Sequence, residues 1–178
     1  MNKYEEAYII GHGGLGDNIT MLGSVNFLSQ YYKRVYLACR HVYEPNIKLL
    51  LKENQFTFPY KPEHKTTFMP LVKHLYDKER TDIFYCGIIK VDIPIKITHP
   101  AILNYEKTNK YSTKYQHISK FYNNMNLDLK IYCEFFNIDS SVRSKELYEN
   151  VKHLKIVFCH TQGSNRKINL SKDVELLQ

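Results

Sequence analysis

The residues best placed to do chemistry lie in one stretch, Ala7 to Asp17, which reads AYIIGHGGLGD. Four glycines, Gly11, Gly13, Gly14 and Gly16, follow an apolar run and precede the carboxylate of Asp17. Glycine admits positive φ and leaves no Cβ in the way of an approaching ligand. A helix starting here points its unpaired first-turn amides at whatever sits in the crevice, which favours a phosphate or a sugar. Asp17 can cap that helix by satisfying orphan amides, a role compatible with catalysis. Further along, His99, Lys114 and His117 are candidates to touch the same ligand, or else to act as solvated or capping residues.

Gly11, Gly13 and Gly16 also fit the G-x-G-x-x-G spacing of dinucleotide-binding turns. Against that reading, Asp17 places negative charge beside a bound pyrophosphate. The following strand also ends at Arg40 rather than at an acid for the ribose hydroxyl. An NADP-binding oxidoreductase domain therefore stays open as an alternative.

The elements that must position these residues follow from periodicity. Ala7 to Ile10 reads as a strand, and Asn18 to Tyr32 as a helix with Met21, Leu22, Val25, Leu28 and Tyr32 on one stripe. Arg34 to Cys39 is apolar on nearly every residue, as expected of a strand buried on both faces. A helix over Glu44 to Lys52, with Pro45 near its start, leads to strand Phe56 to Tyr60. Helix Phe68 to Lys78 and strand Asp82 to Cys86 come next. This alternation predicts an α/β fold with a doubly wound parallel sheet and a ligand crevice at the carboxyl ends of its strands. Lys90 to Asn126 reads as an elaborated loop over the crevice with a helix at Tyr115 to Tyr122, and Lys145 to His153 as an exposed helix. A new strand, Lys155 to Cys159, opens a second glycine-bearing turn, and SKDVELLQ starts another helix.

Composition sets the frame. With 43% hydrophobic and 24% charged residues in 178, the chain is globular rather than disordered. Cys39, Cys86, Cys133 and Cys159 are widely spaced in or beside apolar runs, so buried reduced thiols are expected rather than zinc or disulfides. No run approaches the roughly 20 apolar residues of a membrane span, and MNKYEE lacks a signal-peptide pattern, so a soluble, cytoplasmic protein is expected. The net charge of +7 suits an acidic partner such as a nucleotide diphosphate. The basic residues are scattered without a stripe of stacking aromatics, which disfavours nucleic acid.

Two glycine turns, each after an apolar strand, resemble the facing Rossmann-like halves of GT-B glycosyltransferases. GGLGDNI, with Gly16 and Asp17, is similar to the opening motif of the heptosyltransferase-like family, glycosyltransferase family 9. IVFCHTQGSNRKINL resembles the first strand and loop of that family's nucleotide-sugar domain, and FYNNMNLDLKIYCEFFNI the segment before the interdomain crossing. The resemblance implies an acceptor-side domain over residues 1–150 and the start of a nucleotide-sugar domain over 151–178. It implies inverting, metal-independent transfer of a sugar from a nucleotide-sugar to a hydroxyl of a glycan or lipid-linked acceptor, with no cofactor. Asp17 would be the general base, and Gly13, Gly14, Gly16 and Asn18 would face the acceptor. Ser164, Asn165, Arg166 and Lys167 would hold the donor diphosphate. A second domain that stops after one strand and part of a helix points to a truncated form, whose alternative is a non-catalytic, ligand-binding remnant of the same fold.

Overall fold

Four apolar runs form strands, and all of them pair in parallel. They are β1 (Tyr4–Ile10), β2 (Tyr32–Arg40), β3 (Gln55–Tyr60) and β4 (Thr81–Tyr85), in the order β3-β2-β1-β4. The computed structural model describes residues 4–11, 14–60, 74–86, 96–105, 116–138 and 142–153. β1 lies between two neighbours, pairing Ala7 with Val35 on β2 and with Asp82 on β4. That central place explains why Ala7 through Ile10 are all buried. The first three strands step outward to one side of β1, whereas β4 returns to its other side.

Helices cover the sheet: α1 (Leu15–Thr20), α2 (Leu22–Leu28), α3 (Glu44–Lys48), α4 (Pro100–Leu103), α5 (Gln116–Asn124) and α6 (Leu129–Phe135). On one face, Ala7, Ile9, Val35, Leu37 and Phe84 share a core with Phe27, Leu28, Phe121 and Ile131. Each of these side chains larger than Ala7 contributes about 1.5–3 kcal/mol by leaving water, so this face carries most of the fold's stability. The other face packs Tyr8, Ile10, Ala38 and Ile83 against Leu75, and residues 74–76 are helical. The rest of the helix expected over Phe68 to Lys78 lies outside the described residues, as does the strand expected at Lys155 to Cys159.

The largest departure concerns the helix expected over Asn18 to Tyr32. It begins at Leu15, is interrupted at Met21 and ends at Leu28. The interruption has an identifiable cause: the Tyr122 hydroxyl of α5 donates to the Thr20 carbonyl (3.1 Å) and accepts from the Ser24 amide (3.0 Å). These two groups would bond each other in an unbroken helix. α4 falls in the stretch expected to be partly helical and α6 where no helix was expected, and each is capped by a side chain. His99 Nδ1 accepts from the Ala101 amide (3.1 Å), and Asp128 from the Lys130 amide (2.6 Å).

Cys39 and Cys86 are buried as expected, and burial, with the Glu44 charge beside it, pushes the Cys39 thiol up to about 11. Cys133 is exposed, contrary to expectation. Cys159 lies outside the described residues.

The chain divides into two compact units, residues 1–138 and 139–178. The second is described through α7 (Val142–Val151) and the two residues after it, and Lys145, Glu146, Tyr148, Glu149 and Asn150 of that helix are exposed. Among the described residues, no helix is long and apolar enough to cross a membrane.

Candidate functional site

The candidate site is built at the carboxyl end of β1. There the Cys86 amide donates to the Ile10 carbonyl (3.0 Å), carrying the β1–β4 ladder one residue past β4. A Cβ on Gly11 would stand 2.9 Å from Cys86 Sγ, so a larger residue there would have to displace that side chain. None of the described glycines has positive φ, so Gly11, Gly14 and Gly16 do not use the left-handed conformation expected of this turn. What Gly11, Gly14 and Gly16 provide is space.

Gly14 is the N-cap of α1, with extended backbone (φ −83°, ψ 149°) and no side-chain cap. Asp17 is therefore the third residue of the helix, within its first turn. Its carboxylate folds back over the cap residue, since a Cβ on Gly14 would meet Oδ2 at 2.6 Å. A Cβ on Gly16, by contrast, would meet nothing within 4 Å, and this exposed residue leaves an open approach beside Asp17. Asn18 is fully buried, and its Nδ2 donates to the Gly14 carbonyl (2.8 Å), tying the turn to the helix. Its Oδ1 is buried without a hydrogen-bond partner among the described residues.

A second element completes the site. α5 brings His117 Nε2 to 3.9 Å from Asp17 Oδ1, within ion-pair range and beyond a direct hydrogen bond. The carboxylate is 23% exposed and the imidazole 69%, so the pair is covered on the protein side and open on the other. Phe121, one turn further along α5, supports the imidazole edge-on at 4.9 Å. A shielded carboxylate beside an accessible imidazole can accept a hydrogen bond or a proton from a hydroxyl that enters over Gly16.

The structure thus joins Asp17 to His117 and separates His99 from both. His99 is buried at the amino end of β1, with its ring 4.3 Å from that of Tyr4, and serves as the cap of α4. Arg40, the residue that leaves the NADP alternative open, engages the Tyr60 phenol at the ends of β2 and β3. Gly13, Lys114, Ser164, Asn165, Arg166 and Lys167 lie outside the described residues. Tyr122 was missed by sequence reasoning. The available signal was Gly23, a glycine inside a helical stripe that costs about 1 kcal/mol relative to alanine unless packing demands it.

Among the described residues, no group of three or more His, Cys, Asp or Glu side chains is arranged to hold a metal ion. The hollow of about 510 Å³ beside α3 and the start of β3 is remote from the glycine turn. Its Glu44 carboxylate is already engaged by Lys48 (2.7 Å) and Thr57 (3.0 Å). No known protein family, curated protein or solved structure matches the chain.

Proposed function

We propose that residues 1–150 form the acceptor-side, Rossmann-like domain of a GT-B glycosyltransferase of the heptosyltransferase type, and that 151–178 begin its nucleotide-sugar domain. The observation that carries this reading is the position of Asp17. It stands at the carboxyl end of β1, beside the point where the strand order reverses, with His117 opposite and an open approach over Gly16. Ligands of open parallel sheets bind at such reversal points.

In this reading the acceptor hydroxyl attacks the anomeric carbon of a nucleotide-sugar, and Asp17 takes the hydroxyl proton. The bond from that carbon to the diphosphate oxygen breaks, and the nucleoside diphosphate departs with the electron pair, its charge met by Arg166 and Lys167 with Ser164 and Asn165. Gly13, Gly14, Gly16 and Asn18 shape the acceptor side. The chemistry is inverting and metal-independent, and a cytoplasmic enzyme acting on a glycan or a lipid-linked sugar fits it.

The test is a panel of nucleotide-sugars and glycan acceptors offered to the full-length protein, with transfer and nucleoside diphosphate release as readouts. Asp17→Asn is expected to lower turnover by about 10²- to 10⁴-fold, the usual loss for a positioned base, with the donor KM unchanged. An Asp17→Asn protein as active as the wild type overturns the assignment. Saturable acceptor binding without turnover on any donor moves the protein to the non-catalytic remnant.

A further inference from the structure

Tyr122 is completely buried, and its oxygen stands between two backbone groups of the α1–α2 segment, donating to Thr20 and accepting from Ser24. Room for that oxygen comes from Gly23, where a Cβ would lie 2.6 Å from it and 3.1 Å from Tyr132 Cα. Burial holds the phenol far above its ordinary value, so the hydroxyl keeps both its donor and its acceptor role. Ser24 Oγ donates to the Met21 carbonyl (2.7 Å), which also accepts from the Val25 amide (3.0 Å).

Asp17 lies four residues before the pivot at Met21, about 6 Å along the helix axis. A change of roughly 20° in direction at the pivot would move it by about 2 Å at that distance. Such a shift is large against a 3.9 Å gap to His117. Tyr122 and His117 ride on the same helix, α5, so one element supplies both the wedge and the partner.

We propose that Tyr122 is a positioning residue whose hydroxyl holds the α1–α2 break open and thereby sets the aim of Asp17 at His117. The geometric part stands alone, while its consequence for turnover rests on the reading of Asp17 as the base.

The test is Tyr122→Phe in the full-length protein, with the structure solved beside the wild type. The expected result is a direct Ser24-to-Thr20 bond and an Asp17–His117 separation changed by up to about 2 Å, because the helix closes once the wedge is gone. Turnover in the nucleotide-sugar assay is expected to fall at least about tenfold, with donor KM unchanged, as for an interaction that matters only in the transition state. Gly23→Ala, which pushes the hydroxyl out of the break without removing it, is expected to shift α1 in the same sense. An unmoved α1 in a folded Tyr122→Phe protein overturns the proposal.

If that variant does not fold, proton NMR of the wild type decides. A slowly exchanging Tyr122 hydroxyl proton with a cross-peak to the Ser24 amide supports the wedge, and a Tyr122 ring remote from Ser24 refutes it. The two readings fail separately. An active Asp17→Asn protein removes the function while the geometry is still judged by structure. A Tyr122→Phe protein with α1 displaced and turnover intact removes the positioning role while Asp17 stands.

Discussion

Each end of the sheet holds an aspartate, and the two are used in opposite ways. At the amino end, Asp82 is fully buried and accepts four hydrogen bonds. One oxygen takes the Thr98 amide (2.9 Å) and hydroxyl (2.7 Å), and the other takes the Tyr32 hydroxyl (2.5 Å) and the His99 amide (3.0 Å). Rings of Tyr4, Tyr31 and Tyr32 surround His99 at 4.3–5.4 Å. At the carboxyl end, Asp17 faces an exposed imidazole across a wider gap, and the neighbouring Asn18 Oδ1 has no hydrogen-bond partner among the described residues. Polar groups at the first end stabilise the fold by satisfying one another, whereas at the second the buried Asn18 Oδ1 lacks such satisfaction among the described residues.

The comparison is broken most directly at Asp82. Asp82→Ala strands the Tyr32 hydroxyl and the His99 amide in the interior and removes the acceptor of both donors of Thr98, an exposed residue. We expect a loss of about 3–5 kcal/mol, read from the urea midpoint and slope. A loss under about 1 kcal/mol would erase the distinction between the two ends. Gly23→Ala comes next, at about 1–3 kcal/mol, because a methyl there presses on Tyr132 backbone as well as on the Tyr122 hydroxyl. A neutral Gly23→Ala protein would mean that the α1–α2 segment is looser against α5 and α6 than its distances indicate.

Much of this architecture could be read from the residues, and the exceptions share a cause. The strands expected at Arg34 to Cys39, Phe56 to Tyr60 and Asp82 to Cys86 are found within two residues of their expected ends, because continuous apolar runs leave few alternatives to a buried parallel strand. The helix over Asn18 to Tyr32 was legible as a stripe but not as two pieces, since its break is imposed by a hydroxyl about 100 residues away. His99 and His117 looked alike in sequence. One became a cap because Pro100 and Ala101 begin a helix beside it, and the other met Asp17 because α5 packs across α1. Such pairings depend on tertiary contacts, which local periodicity does not encode. Asp82 gave no signal at all, as its partners Tyr32 and Thr98 are brought together only by the sheet.

A smaller effect sharpens the contrast through pH. Burial, assisted by the Arg80 charge and opposed by Asp82, holds the His99 imidazole below its ordinary value. The unfolded chain, with His near 6.5, therefore binds more protons than the folded one over the interval below about 6.5. Stability contributed by neutral His99 is fully present above that pH and is lost as pH falls toward the lower folded value. His99→Asn keeps an acceptor for the Ala101 amide and removes the titration. Urea midpoints between pH 7 and 5 should fall more steeply for the wild type than for this variant, and equal slopes would mean that the His99 environment does not discriminate against charge.

The smallest change in stability is expected at the other aspartate, and it separates capping from chemistry. Asp17→Asn keeps the side-chain shape and a polar group over Gly14, and removes only a first-turn negative charge, worth about 0.3–1 kcal/mol at a helix N-terminus. Asp82→Asn makes the identical exchange where one oxygen becomes an NH₂ facing two donors, so its cost should be several times larger. His117→Gln should leave the melting temperature nearly unchanged, because that imidazole is mostly in water. If Asp17 mattered chiefly as a cap, Asp17→Ala would lose about 1 kcal/mol while Asp17→Asn lost little, and sugar transfer would persist in the Asn protein. Melting curves for the two aspartates exchanged to Asn, set beside transfer rates for Asp17→Asn, therefore test one claim. A carboxylate that costs little in stability but much in turnover belongs to a site, and a result in which Asp17→Asn unfolds the protein as readily as Asp82→Asn would make both ends of the sheet structural.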